Sequence, residues 1–348
     1  MLPEELNERE KNILRHIVQQ FILTASPVGS RNITKRYDLG YSPATVRNIM
    51  SDLEEFGFLG HPHTSAGRVP TDKGYRFYVN ALMETHTLAV NEQELIAKQI
   101  ESAVAESDGV LDLASKLLGR ITNQLACVVY PSLDNGILEK IQIITLSSSR
   151  IMVIISVRSG LVKTIQLEVN FEVNEKQLHQ IQQLLNERLQ GLGLREIRES
   201  FKDRLKDSIS EDKPILRLFY ESVDKIFVDL TAQQKLFVNG ASNLLKQPEF
   251  EDPDRFQSVV ELIEDKEIII HILDKVAKNS NDAVQVSIGL ENDHINLENY
   301  SLVTKEYKFG ATSGTLGIVG PKRMEYSKIV AIVDYTAKIL TEFLTRNQ

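Results

Sequence analysis

At 348 residues, with 42% apolar and 25% charged residues, the chain has the length for two or three globular domains and the composition of a soluble protein. A net charge of −8 argues against a protein that coats nucleic acid indiscriminately, and no apolar run reaches the roughly 18 residues of a membrane span. The N-terminus has neither the basic nor the apolar region of a signal peptide, and the sole cysteine, Cys127, excludes an intrachain disulfide, so a cytoplasmic location is expected. The average charge hides an asymmetry: residues 11–80 carry nine Lys/Arg against five Asp/Glu, a net of +4, which leaves −12 for the rest. A basic module on an acidic body suits site-specific DNA binding with weak non-specific affinity.

In chain order, Asn7 and Glu10 make a capping box, and Ile13, Leu14, Ile17, Val18, Phe21 and Ile22 form a stripe behind it, which predicts a first helix over 8–24. Ala25-Ser-Pro-Val-Gly29 breaks it. Ser30 is expected to cap a short second helix to Tyr37, with Arg31, Lys35 and Arg36 outward. After the turn Asp38–Tyr41, residues 42–57 read as a third helix. Ser42 is the N-cap, Pro43 fits N1, and Gly57 is the stop. Val46, Ile49, Met50, Leu53 and Phe56 form its buried stripe. Its opposite face begins with Ala44, Thr45, Arg47, Asn48 and Ser51 and turns acidic only at Asp52, Glu54 and Glu55. A recognition helix needs that polarity, because its N-terminal half meets base edges.

Phe58–His61 and Val69 then read as a short hairpin around the polar loop 62–68, in effect a wing. Its tip would offer His63, Thr64, Ser65 and Arg68 to a minor groove or to phosphates. Within the third helix, Thr45, Arg47 and Asn48 are expected to read bases, since Arg can bridge guanine O6 and N7 and Asn can pair with adenine N6 and N7. Ser42, Arg31 and Lys35 are better placed for phosphates. Arg36 and Lys73 fit phosphate contact or solvated surface equally, and Arg76 is a candidate brace for the wing.

Residues 71–83 predict a helix closing this module, and 91–125 are mostly helical with a soft break at 107–109. Strands follow at 126–130, 138–146, 151–157 and 161–169, read as one antiparallel meander. Residues 174–247 return to helix period, as do 254–278. A second strand set lies at 284–288, 300–309 and 316–319, and an amphipathic helix closes the chain from Tyr326 to Leu344. This is an α+β chain, best divided as one α+β domain interrupted by a helical insertion, with two independent β domains as the alternative.

Other motifs are weaker. His61 and His63 lack a third ligand nearby, so no metal is expected. Glycines 310, 314, 317 and 320 are not followed by Gly-Lys-Ser/Thr, so they are read as strand packing or turns rather than a phosphate loop. Arg323 is open between a ligand and an acidic partner. No hydrolase or metalloprotease motif is present, Cys127 reads as a core thiol, and neither enzyme activity nor a cofactor is expected.

Four segments together resemble the bacterial family of heat-inducible transcription repressors, HrcA. They are Pro27-Val-Gly-Ser-Arg31; Ser42-Pro-Ala-Thr-Val-Arg-Asn48 with Met50, Asp52 and Leu53; His63-Thr-Ser-Ala-Gly-Arg-Val-Pro-Thr71 with Gly74-Tyr-Arg76; and Gly314-Thr-Leu-Gly-Ile-Val-Gly-Pro-Lys-Arg-Met-Glu-Tyr326. The resemblance spans nearly the whole chain, with no departure in the DNA module. It implies a winged helix-turn-helix over 1–83, a GAF-like α+β domain over 84–172 and 252–348, and an inserted, mainly helical dimerisation domain over 173–251. It implies a homodimer on double-stranded DNA at the inverted-repeat operator CIRCE upstream of chaperone operons, with activity promoted by the GroEL/GroES chaperonin and lost on heat stress. The alternatives are a metabolite-sensing winged-helix regulator and an enzyme with a DNA-binding appendage.

Overall fold

The computed structural model describes residues 6–61, 67–102, 107–131, 133, 136–171, 174–208, 214–228, 236–278, 283–292, 297–310 and 312–346. The first helix, α1 (Glu8–Thr24), starts at the expected capping box: Asn7 Oδ1 accepts from the Arg9 and Glu10 amides, and Glu10 accepts from the Asn7 amide. Helix α2 (Ser30–Arg36) differs from expectation at its start. Gly29 is the N-cap, with no side-chain hydrogen bond, and Ser30 is already helical. Helix α3 (Pro43–Glu55) is capped by Ser42, whose Oγ accepts from the Thr45 amide at 3.1 Å. It stops in a Schellman pair, with the Gly57 amide on the Glu54 carbonyl and the Phe58 amide on the Leu53 carbonyl. Gly57 has φ +77°, which a side chain would strain.

The wing strands β1 (Leu59–Gly60) and β2 (Val69–Pro70) pair antiparallel, and Val28 adds a bridge to Arg68 as a third edge of the wing. Gly67 allows this, because a Cβ there would lie 2.8 Å from the Pro27 carbonyl carbon. Thr71 starts α4 (Asp72–Phe77), and its hydroxyl donates to the Gly57 carbonyl while accepting from the Gly74 amide. One π-helical turn, Tyr78–Leu82, ends the module.

The body is a three-layer sandwich. Its strands are β3 (Leu125–Val129), β7 (Leu236–Asn239), β8 (Gln285–Ile288), β9 (Tyr300–Phe309) and β10 (Thr312–Pro321), in the order β7-β3-β10-β9-β8, all antiparallel. Alternate residues face opposite layers. Ala126, Val128, Leu316 and Ile318 join the core formed with α5 (Val90–Glu101), α6 (Ser107–Thr122) and the C-terminal helix, Tyr326–Arg346. Leu125, Cys127 and Val319 join Leu262, Ile269 and Leu273 of the helices Pro253–Glu264 and Lys266–Lys278. Burial pushes the Cys127 thiol up to about 12, so it is inert at neutral pH. The glycines of β10 are packing residues: a Cβ would sit 2.5 Å from Leu273 at Gly317 and 2.5 Å from the Val129 carbonyl at Gly314. Among the described residues, no helix is long and apolar enough to cross a membrane.

The strand pairing differs from expectation. The strand at 125–129 leaves the expected four-stranded meander and enters the body sheet beside β7, whose sequence has a helical period. Among the described residues, the chain between β3 and β7 builds a second, separate sheet and its own helices. It contains the meander β4 (Leu138–Ser147), β5 (Arg150–Val157) and β6 (Val162–Glu168), followed by α7 (Glu175–Leu189), α8 (Leu194–Leu205), α9 (Pro214–Glu221) and α10 (Val223–Phe227). Helix α7 closes the meander's edge, a site otherwise open to strand addition. Asn186 accepts from the Ile141 amide and donates to its carbonyl, both at 2.8 Å, and Gln182 accepts from the Ile143 amide at 2.9 Å.

A polar seam fixes the DNA module on the body. Asp72 accepts from Lys322 Nζ at 2.6 Å and from the Leu290 amide at 3.1 Å. Arg76 does not brace the wing as expected; it pairs with Glu291 and donates to the Val286 carbonyl at 2.6 Å. Arg323 takes the acidic partner, Glu249, and also donates to the Ile22 carbonyl at 3.2 Å, near the end of α1.

Candidate nucleic-acid interface

The buried side of α3, Val46, Met50 and Leu53, locks onto the α1 stripe of Ile13, Leu14, Ile17 and Val18. That packing turns the polar side of α3 outward. Ser42, Ala44, Arg47, Asn48 and Ser51 are exposed, whereas Thr45 is half-buried, its hydroxyl 3.0 Å from Ser42 Oγ. Arg31 and Lys35 are exposed on α2, which packs beside α3. Among the described residues, the side chains of Arg31, Lys35, Arg47 and Asn48 have no hydrogen-bond or ion-pair partner, so they are free to meet a ligand. Ser51 Oγ donates to the Arg47 carbonyl at 3.2 Å. His63, Thr64 and Ser65 lie outside the described residues.

Arg68 is placed unlike the expectation. It lies at the root of the wing, its backbone paired with Val28, and its guanidinium faces α3, where Nε is 2.8 Å from Glu54 Oε2. Lys73 is a local structural cation: Nζ donates to the Phe56 carbonyl at 2.7 Å, at the negative end of α3, and lies 4.4 Å from the Phe58 ring centroid. Sequence reasoning missed the part of Glu54, since only the fold brings residues 54, 61 and 68 together. It also missed Arg9, whose guanidinium lies 5.8 Å from the Tyr41 ring just before α3.

Beneath this face His16 stacks on Tyr37 with ring centroids 4.1 Å apart. Desolvation lowers its pKa; a hydrogen bond with Gln19 opposes the shift, and the Arg15 charge adds to it. The folded state therefore favours neutral His16. Its contribution is fully present above the unfolded value of about 6.5 and is lost as pH falls through the lower folded value. The melting temperature should fall between pH 7.5 and 5.5, and His16→Phe should reduce that fall; an equal fall in both proteins would contradict it.

The geometry is that of a winged helix with a cationic and amide reading face, no acid in the first turn of α3, and a wing beside it. A family profile described as "HrcA protein C terminal domain" matches residues 108–330. The heat-inducible transcription repressor HrcA of Chlorobium phaeobacteroides strain BS1 is 41% identical, covering 99% of this chain and 100% of its own. That of Prosthecochloris aestuarii is 40% identical over 97% of each chain. A solved structure described only as a hypothetical protein superposes with a TM-score of 0.63 and 25% identity, covering 99% of this chain and 100% of that one.

Proposed function

The chain belongs to the HrcA family of heat-inducible transcription repressors, and from that premise we propose that it represses chaperone operons as a homodimer bound to the inverted-repeat CIRCE operator. The observation that carries the DNA-reading step is the free N-terminal half of α3, with exposed Arg47 and Asn48 on a rigid apolar back. In this reading Thr45, Arg47 and Asn48 meet base edges, while Arg31, Lys35 and Ser42 meet phosphates. A two-fold dimer presents two such helices to one face of the duplex, which matches an inverted repeat. The body takes the GAF-like place between reader and insertion.

Heat and the GroEL/GroES chaperonin act through the population of active dimer. A marginally stable repressor changes several-fold in abundance for a shift of about 1–2 kcal/mol, whether from heat or from loss of chaperonin help. Deleting the gene should raise chaperone transcripts at the growth temperature, and extra chaperonin should deepen repression in its presence. Unchanged transcripts in both experiments would contradict the reading.

The dimer contact belongs to the insertion's sheet rather than its helices. The helical stripes, among them Leu185, Ile197, Phe201 and Phe219, are spent on the insertion's own core. The other face of the meander leaves Ile144, Leu146 and Val162 exposed, with Met152 and Ile154 half-buried between them. Met152 is registered opposite Ile144, so the apolar residues of neighbouring strands adjoin. The double change Ile144→Glu with Val162→Glu should weaken dimerisation by at least about tenfold in sedimentation, at a loss of roughly 1.4 kcal/mol or more. A persisting dimer would move the contact elsewhere.

One observation favours metabolite sensing. A cavity of about 380 Å³ lies between module and body, lined by Gln19, Tyr37, Tyr78, His86, Glu325 and Lys328 among others. Calorimetry against metabolite pools would reveal a specific occupant.

A further inference from the structure

We propose that Glu54, a carboxylate on the recognition helix, is a positioning residue for DNA binding that sets the wing against α3 through Arg68 and His61. The inference rests on the DNA-binding reading above. An acid on this face would ordinarily oppose binding, since it repels phosphates. Glu54 is turned aside. Its Oε2 is 2.8 Å from Arg68 Nε, and its Oε1 is 3.1 Å from His61 Nε2. Arg68 Nη1 lies 3.1 Å from His61 Nδ1, which closes a three-membered clasp.

The clasp combines one hydrogen bond with two ion-pair contacts. A guanidinium can only donate, so His61 Nδ1 accepts from Arg68 Nη1, while Glu54 meets both partners as a charge at ion-pair distance, the Arg68 Nε–H not being aligned for a hydrogen bond. Each strand of the wing thus supplies one partner: His61 follows β1 and Arg68 precedes β2. The Arg68 side chain is only 17% exposed, and its main chain exchanges two hydrogen bonds with Val28, at 2.8 and 2.9 Å. Among the described residues the hairpin has two registered residue pairs, few to hold its own angle. The clasp therefore supplies the orientation, and the Arg68 charge is consumed by Glu54 rather than offered to a phosphate.

This reverses the sign of a charge substitution. Glu54→Gln should weaken operator binding by roughly 2- to 30-fold although it removes a negative charge from the DNA side. Glu55→Gln, at an exposed position with no partner among the described residues, should leave binding equal or tighter. Arg68→Ala should weaken binding with the salt slope unchanged, and the double variant with Glu54→Gln should bind no worse than the weaker single one. In the free protein, Glu54→Gln should speed hydrogen exchange at the Val28 and Arg68 amides and leave α1 protection intact. Tighter binding by Glu54→Gln, a slope reduced by about one unit in Arg68→Ala, or unchanged exchange at both amides would overturn the proposal. Exchange is read without DNA, so failure of the unmodified protein to bind any operator would remove the parent reading and still leave the clasp decided.

Discussion

Replacing Arg47 by alanine is expected to weaken operator binding by about 1–3 kcal/mol, roughly 5- to 150-fold, and to relax the preference at one base pair. The size follows from what the side chain can do and what it is not already doing. Arg47 is exposed on the first half of α3 and has no side-chain partner among the described residues, so its removal leaves the fold intact. A guanidinium inserted in the major groove makes two parallel hydrogen bonds to one guanine, and losing both sets that cost. Asn48→Ala should behave in the same way at a neighbouring adenine. The check is a binding series across every single-base change of the operator. Equal weakening on all sequences, together with a smaller salt slope, would make these residues phosphate contacts instead.

Gly74→Ala is expected to cost the winged helix about 3 kcal/mol or more, with a fall in its melting temperature of roughly 10 °C or more. A Cβ at Gly74 would lie 2.2 Å from the Phe58 carbonyl oxygen, which is backbone and cannot rotate away. That segment is held on both sides: the Phe58 amide closes the Schellman pair of α3, and the Phe58 carbonyl accepts from the Thr71 amide. Relief would have to pull the wing root off the recognition helix, so DNA binding should fail along with stability. Gly29→Ala is the matched control, since a Cβ there meets nothing within 4 Å. Melting curves of both variants decide it; a Gly74→Ala protein that melts with the unmodified chain would refute the packing argument.

The DNA module was legible because its signals are local. A capping box at Asn7, a Ser42-Pro43 start and a Gly57 stop act within a turn of where they stand in the chain, and the structure uses all three. The reading face followed from period alone: burying Val46, Met50 and Leu53 leaves Arg47 and Asn48 outward. What failed was pairing across distance. Residues 125–129 look like the first strand of a meander because three more strands follow, yet they pair with 236–239 and 315–319, far along the chain. Leu236–Asn239 is only four residues long and too short to break a helical period on its own. The roles of Arg68, Arg76 and Arg323 were equally hidden, since each answers an acid that only the fold brings near: Glu54, Glu291 and Glu249. A sequence shows that an arginine is present; the tertiary contact decides whether its charge is free.

The most direct test of the central claim is binding of the full chain to a labelled inverted-repeat operator, beside the same operator with one half-site scrambled and a fully scrambled duplex. One tight dimer complex is expected on the intact repeat, with strand protection symmetrical about its centre. Affinity should be lower by at least about a thousandfold on the scrambled duplex, the usual interval between specific and non-specific sites. Equal affinity for all three duplexes, or tight binding of a single monomer to one half-site, would contradict it.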